Sequence, residues 1–245
     1  MADIILWPNA APVYGFLSTI NAMQVEGTRQ QGKRVLDCGA GGRIPPLALF
    51  HQQSYDAWGI DISAEQIERA RQLCEEQELQ VHLHQGDMRR MPFADETFDY
   101  GYEHYSMCHL SKQDTARAVG EMRRVLKQGG LCFLGVMSMD CWPKSLWGEE
   151  REPGEFWGEE HGELTLHSMF IDEETKLLVS SWEVIAKEKQ TLFLGERARE
   201  TSMDTWMEML PQAPGQYTRA AWEARYDQRE HEFQYAHVYY YLRKT

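Results

Sequence analysis

Short apolar runs alternate with stretches of helical periodicity through the first 137 residues. Val35-Leu36, Ala57 to Ile60, Leu79-Val81-Leu83 in strict alternation, Phe98 to Tyr102 and Leu131 to Val136 read as strands. Between them, Ile67, Ala70, Leu73 and Cys74 mark one face of a helix. Ser63 followed by Gln66 three residues later gives that helix a capping signature. Ser111 caps a second helix, whose Thr115, Val119, Met122 and Leu126 recur at helical spacing until Gly129-Gly130 stops it. Pro45-Pro46 marks a helix start, because prolines in a first turn forfeit only N–H groups that have no intrahelical partner. This alternation predicts a parallel sheet wrapped by helices.

After Met137 the pattern changes. Trp142, Trp147 and Trp157, the acidic run Glu149-Glu150-Arg151-Glu152, Pro143, Pro153 and several glycines read as an irregular aromatic lid rather than another strand–helix unit. Leu164-Leu166-Ser168, a turn near Asp172-Glu173-Glu174, and the runs Leu178 to Ile185 and Thr191 to Phe193 predict an antiparallel hairpin or meander. Ser202 to Leu210 reads as a short helix, and His237 to Leu242 as a final strand. The segments expected are an N-terminal lid over 1–30, a core over 30–137, a cap over 138–200 and a sheet-completing part over 201–245, all in one domain.

A chain of 245 residues is long enough for one α/β domain with an insertion. Its net charge of −13 argues against a surface that tracks phosphates, and a solvated face is the plainer reading of Arg89-Arg90 and Arg123-Arg124. Five cysteines without paired C-x-x-C spacing predict reduced thiols. The start Met-Ala-Asp-Ile-Ile-Leu-Trp-Pro has neither a basic region nor a long apolar stretch, so no membrane span is expected and the location expected is cytoplasmic. Glu160, His161, Glu163 and His167 match no firm ligand spacing, and no metal is assigned.

The chemistry points to the run Arg34-Val35-Leu36-Asp37-Cys38-Gly39-Ala40-Gly41-Gly42 and the later Gly59-Ile60-Asp61. An apolar strand, a glycine turn and a second strand ending in a carboxylate form a cradle for an adenosine-bearing cofactor. The glycines admit backbone N–H groups close to the ligand, and Asp61 accepts the ribose hydroxyls. A dinucleotide fingerprint needs a third small residue where Ile44 stands, so a nicotinamide cofactor is disfavoured. S-adenosylmethionine, which has no phosphate, fits the remaining pattern.

Leu36-Asp37-Cys38-Gly39-Ala40-Gly41 resembles the glycine-rich first motif of class I S-adenosylmethionine-dependent methyltransferases of the type 11-like kind. Gly59-Ile60-Asp61-Ile62-Ser63 resembles the acidic end of that family's second strand. Gly86-Asp87-Met88, Met91-Pro92-Phe93 and Phe98-Asp99 resemble its adenine-side loop and fourth strand, and Arg124 to Gly130 the turn before its fifth. The matches run in order over residues 30 to 137, with Arg43 standing where the family usually places another glycine. The resemblance implies an α/β, doubly wound, seven-stranded, mostly parallel Rossmann-like sheet with an antiparallel seventh strand, capped by the aromatic-rich insertion.

The same resemblance places Gly39, Ala40 and Gly41 against the methionine part of the cofactor, with Asp37 receiving its ammonium group. It assigns Asp61 to the ribose and Ile62 to the flank of the adenine. Asp87 receives the exocyclic amine, the Met88 N–H meets a ring nitrogen, and the Glu103 carbonyl meets the ammonium. Tyr14 is a candidate lid residue over the methionine end.

Glu103 to Leu110 follows a central strand at its carboxyl end, where α/β sheets bind ligands. Within it, His104 and Tyr105 are the candidate catalytic residues, as general base and hydrogen-bond partner, while packing and hydrogen bonding suit His109 better. The function expected is methyl transfer to a small-molecule acceptor by in-line displacement. A protein-directed enzyme and a non-catalytic S-adenosylmethionine-binding module are the alternatives. No Asn- or Asp-Pro-Pro-aromatic run and no Pro-Cys pair of the nucleic-acid-modifying kinds is present, and no nucleic-acid partner is expected.

Overall fold

The structure is a computed structural model that describes residues 11–23, 32–41, 46–141, 144–160, 162–193 and 234–245. Gly42, Arg43, Ile44, Pro45, Trp142, His161, the expected helix at Ser202 to Leu210 and most of the N-terminal segment lie outside the described residues.

Five parallel strands form the centre: β1 (Arg34–Cys38), β2 (Asp56–Asp61), β3 (His82–Gln85), β4 (Phe98–Glu103) and β5 (Leu126–Ser138). Beyond β5 lies β10 (Gln234–Arg243), antiparallel to β5 and to β9 (Glu183–Phe193). The main-sheet order is thus β3-β2-β1-β4-β5-β10-β9. This is the expected doubly wound sheet with its antiparallel late strand.

Helices cover both faces. On one, α1 (Ala11–Ala22) and α2 (Leu47–Gln52) bury Val13, Phe16, Ile20 and Phe50 against Tyr102, Phe133 and Tyr239. Phe16 stacks on Phe133 with ring centroids 5.7 Å apart. On the other, α4 (Lys112–Val125) buries Val119, Met122 and Val125 against Leu36, Leu134 and Tyr240. Each such fully buried side chain contributes about 1.5–3 kcal/mol relative to exposure. The capping expectations hold: Ser63 Oγ accepts the Gln66 N–H ahead of α3 (Ala64–Glu76), and Ser111 Oγ accepts the Asp114 N–H ahead of α4.

Helix α4 stops earlier than its periodicity suggests. Leu126 is the first residue of β5 and pairs with Phe98, because the backbone at Gly129 and Gly130 is held by Lys244 at the end of the chain. Asp172-Glu173-Glu174 is likewise no hairpin turn but the first turn of α5 (Asp172–Leu178). Three acids suit the positive end of that helix, and Glu174 accepts the Ile171 N–H at 3.0 Å. The helix carries the chain from β8 (Glu163–Phe170) to β9, so β9 lies in the main sheet rather than in a cap meander.

The cap is more regular than the aromatic composition implied. Strands β6 (Glu149–Glu152) and β7 (Glu155–Glu160) form an antiparallel sheet with β8, whose Met169 and Phe170 pair in parallel with Met137 and Ser138 of β5. The acidic run is the outer strand of this sheet, where repeated charge discourages pairing with another edge. No helix among the described residues is long and apolar enough to cross a membrane.

Candidate cofactor and acceptor site

The carboxyl ends of β1, β2 and β4 meet at the turn Gly39-Ala40-Gly41. Gly39 has φ +106°, and a Cβ there would stand 1.8 Å from Ser106 Oγ. One on Gly41 would stand 2.5 Å from Asp61 Oδ2. Only glycine lets the two loops close so tightly. The Gly39 and Ala40 N–H groups both donate to the Ile60 carbonyl, at 2.8 and 3.1 Å. Those two amides therefore tie the turn to β2 and do not face a ligand as the motif alone suggested.

Asp61 anchors the same turn. Its Oδ2 accepts the Gly41 N–H at 3.1 Å and its Oδ1 the Ser63 N–H at 2.8 Å, leaving lone pairs on each oxygen for further donors. Beside it Ile62 is 62% exposed, an apolar side chain open at the rim.

Deeper in, Asp37 is 3% exposed and accepts the Tyr102 hydroxyl at 2.6 Å. Burial pushes the Asp37 carboxyl up to about 7, and the nearby charges of Glu103 and Asp61 add to this. Burial holds the Tyr102 phenol well above its ordinary value, and the charge of Asp37 and the nearness of Tyr14 of α1 add to this. Glu103 is fully buried. Its Oε1 accepts the Ser106 and Met107 N–H groups at 2.6 and 2.7 Å, while Oε2 is buried without a partner. Burial raises this carboxyl to about 7 too. Expected as a backbone acceptor, Glu103 thus organises the following loop through its side chain.

Asp37, Asp61 and Glu103 gather three carboxyl groups at the ends of β1, β2 and β4, and Glu103 keeps one buried oxygen without a partner. That suits a ligand carrying an ammonium and a sulfonium, and opposes the pyrophosphate of a dinucleotide. The residues present fit S-adenosylmethionine.

The adenine-side loop departs from expectation. Gly86 N–H joins it to the Asp61 carbonyl at 2.9 Å, but the Asp87 carboxylate is taken by Arg89. Oδ1 accepts from the Arg89 N–H and Nε, and Oδ2 from Nε and Nη2, all within 2.6–3.0 Å. Arg89 is held in turn by Asp114 at 2.7 Å. An adenine amine at Asp87 would have to displace one of these bonds. Met88 is half-buried against the core.

On the cap side, His104, Tyr105, Tyr235, His237 and Tyr239 form one aromatic wall. Tyr105 lies 4.1 Å from His104, 4.7 Å from His237 and 6.2 Å from Tyr235, centroid to centroid. Tyr105 has φ +67°, a strained backbone for a bulky side chain. Burial lowers His104 to about 4 and His237 to about 3, so both rings are neutral at pH 7, and His104 Nε2 is buried without a partner. So weak a base holds a proton poorly, which counts against the general-base role expected of His104. Trp147 reaches this wall at Tyr235, 5.7 Å away. Sequence reasoning had not singled out Tyr102, Ser106, Tyr235 or Tyr239, since tyrosines within apolar strands read as core and Ser106 as loop.

Residues 35–130 match the model of the family described as a methyltransferase domain. Methyltransferase phqN of Penicillium fellutanum is 34% identical over 102 residues, which are 41% of this chain and 31% of that protein. The uncharacterized methyltransferase YcgJ of Bacillus subtilis is 38% identical over 102 residues, 41% of this chain and 39% of that one. The matched segment therefore spans only about a third of the length of these relatives. Among solved structures, a SAM-dependent methyltransferase from Methanosarcina mazei superposes with a TM-score of 0.61 at 17% identity, covering 96% of this chain and 97% of that one. Residues 35–130 thus match a methyltransferase domain, and the chain as a whole shares the fold of that solved methyltransferase.

Proposed function

We propose that the chain transfers a methyl group from S-adenosylmethionine to a small-molecule acceptor held between the core and the cap. The observation that carries this reading is the adjacency of the carboxyl-edged glycine cradle and the aromatic wall, which meet at the Glu103-His104-Tyr105 corner. S-adenosylmethionine supplies, when bound, a methyl group on a positively charged sulfur.

Each residue has a part that follows from its environment. Gly39 and Gly41 keep the floor open, and Asp61 accepts ribose hydroxyls with its remaining lone pairs. Asp37, oriented by Tyr102, receives the ammonium, with Tyr14 of the N-terminal helix as the lid residue over it. Ile62 and Met88 flank the adenine, and recognition of its amine by Asp87 requires Arg89 to yield. His104 Nε2 and the Tyr105 hydroxyl hold the acceptor. Because an in-line displacement gains up to roughly 7–11 kcal/mol from alignment alone, neutral positioning groups suffice for an acceptor that loses its proton readily. A small acceptor is supported further by the sarcosine/dimethylglycine N-methyltransferase of Aphanothece halophytica, which is 32% identical over 120 residues.

The test is release of S-adenosylhomocysteine across a panel of small amines, thiols, phenols and carbon acids, with a protein extract as the contrasting arm. Turnover with a small acceptor supports the reading. Turnover confined to protein acceptors, or none with any, defeats it.

A further inference from the structure

The fold brings His109 from the turn after β4 beside Glu160 at the end of β7 and His167 within β8. One potential ligand atom from each lies within 4.8 Å of the other two. No sequence spacing joins these residues, because His109 and His167 come from different structural units.

The hydrogen bonds prepare both rings for a metal. His109 Nδ1 lies 3.1 Å from the Leu166 carbonyl, which only accepts, so Nδ1 carries the proton and the ring's lone pair is on Nε2. Such a carbonyl contact is the usual outer support of a metal-bound histidine. His167 is 6% exposed. Its Nε2 is 3.1 Å from Glu160 Oε2, whereas its Nδ1 is buried with no partner. A buried imidazole with an unsatisfied nitrogen beside a carboxylate is costly unless something else is bound there.

We propose that His109, Glu160 and His167 bind one divalent transition cation of the zinc class at the seam between core and cap, with a coordination position open toward the acceptor chamber. Two imidazoles and a carboxylate select such a cation over calcium or magnesium, which prefer oxygen donors. Small side-chain rotations close the present span to metal–ligand distances of about 2.0–2.2 Å. Three protein donors leave room for a water or for the acceptor's heteroatom, as in sites that do chemistry rather than only brace a fold. The route to the chamber is short: the Trp147 ring is 5.1 Å from His167 and 5.7 Å from Tyr235, which stacks on Tyr105. The open position deepens the small-acceptor reading and rests on it; the binding of the cation does not. The proposal departs from the expectation of no metal, which rested on the spacing of Glu160, His161, Glu163 and His167 alone.

The test uses the full, tag-free chain, stripped with chelator and titrated with Co2+, then with Zn2+. The expected result is visible ligand-field absorption that saturates at about one equivalent per chain and is displaced by Zn2+. Glu160→Gln and His109→Gln should each abolish the saturable absorption. Calorimetric affinity for S-adenosylmethionine, measured in parallel, should be retained in both variants and thereby reports that they are folded. Absence of saturable absorption in the wild type, or its persistence in both variants, overturns the proposal. Strong sulfur-to-cobalt charge-transfer absorption also overturns it, by showing a thiol such as Cys108 in place of the donors named. Failure to bind S-adenosylmethionine would count against the methyl-transfer reading while leaving the cobalt titration readable.

Discussion

The Tyr102 hydroxyl donates to Asp37 Oδ2 across 2.6 Å in the interior of the sheet, tying the ends of the two central strands β1 and β4 at the floor of the crevice. A carboxylate this buried is stabilised in its charged form by that bond and destabilised by everything else around it. Removing the hydroxyl in Tyr102→Phe should therefore raise the Asp37 carboxyl further. Affinity for S-adenosylmethionine near neutral pH is expected to fall by about 10-fold or more, given roughly 1.5–3 kcal/mol for a hydrogen bond to a charged group. Calorimetric titration at two pH values checks this: affinity should recover partly as the pH is raised, and a pH-independent loss would contradict the assignment.

Stability of the ligand-free protein should fall as pH rises through about 7. The folded state holds the Asp37 and Glu103 protons up to about 7, whereas ordinary values are 3.8 and 4.5. Between those limits the folded chain binds more protons than the unfolded one. The resulting stabilisation is full below the ordinary values and is lost as pH climbs through about 7. His104 and His237, held neutral in the fold, oppose this slope below their ordinary value of 6.5, so scanning calorimetry should show a declining Tm from about pH 6.5 to 8, and Asp37→Asn should flatten the decline. A Tm that rises over this interval would show that both carboxyls are ionised in the fold.

Gly39→Ala tests the close approach of the two loops. At φ +106° with Ser106 Oγ where the methyl group must go, the loop after β4 has to move. Binding of S-adenosylmethionine should be lost, with a drop in stability of about 1–3 kcal/mol from the strained backbone. The double variant Gly39→Ala/Ser106→Gly should regain part of that stability. Equal stability losses in the single and double variants would mean that the Ser106 contact is not what forbids the side chain.

His104→Ala and Tyr105→Phe should lower kcat with little change in cofactor affinity, since both side chains belong to the acceptor wall. For Tyr105→Phe a loss of roughly 10-fold corresponds to one neutral hydrogen bond of about 1 kcal/mol plus misalignment. Steady-state kinetics with an accepted substrate and binding of S-adenosylhomocysteine separate the two effects. Weakened cofactor binding with unchanged kcat would move these residues to the donor side.

Much of the part from β1 to α4 is legible in the sequence because its elements carry distinctive residue types. The Ser63 and Ser111 caps act within three residues of themselves, whereas the Gly39-Ala40-Gly41 turn and Asp61 are visible by residue type although they close on Ile60, on each other and on Ser106. Leu126 shows the limit: its helical spacing from Met122 is real, but a pairing of Gly129 and Gly130 with Lys244, over a hundred residues away, takes it into β5. Asp172-Glu173-Glu174 shows another, since acids suit a turn and a helix start alike, and only the need to cross from β8 to β9 decides between them. Arg89 beside Asp87 was visible as a basic pair, yet its bidentate grip depends on Asp114 holding it from α4. The aromatic wall and the His109–Glu160–His167 cluster are products of tertiary packing and leave no periodic trace.

The most direct test of the account is isothermal titration of the full, ligand-free chain with S-adenosylmethionine and with S-adenosylhomocysteine at neutral pH. The account predicts saturable binding of both at about one site per chain, with Asp61→Ala weakening each by about 10- to 100-fold as its charge-assisted ribose bonds are lost. An absence of binding in well-folded protein, or equal binding by Asp61→Ala, would contradict the claim that this crevice holds the methyl donor.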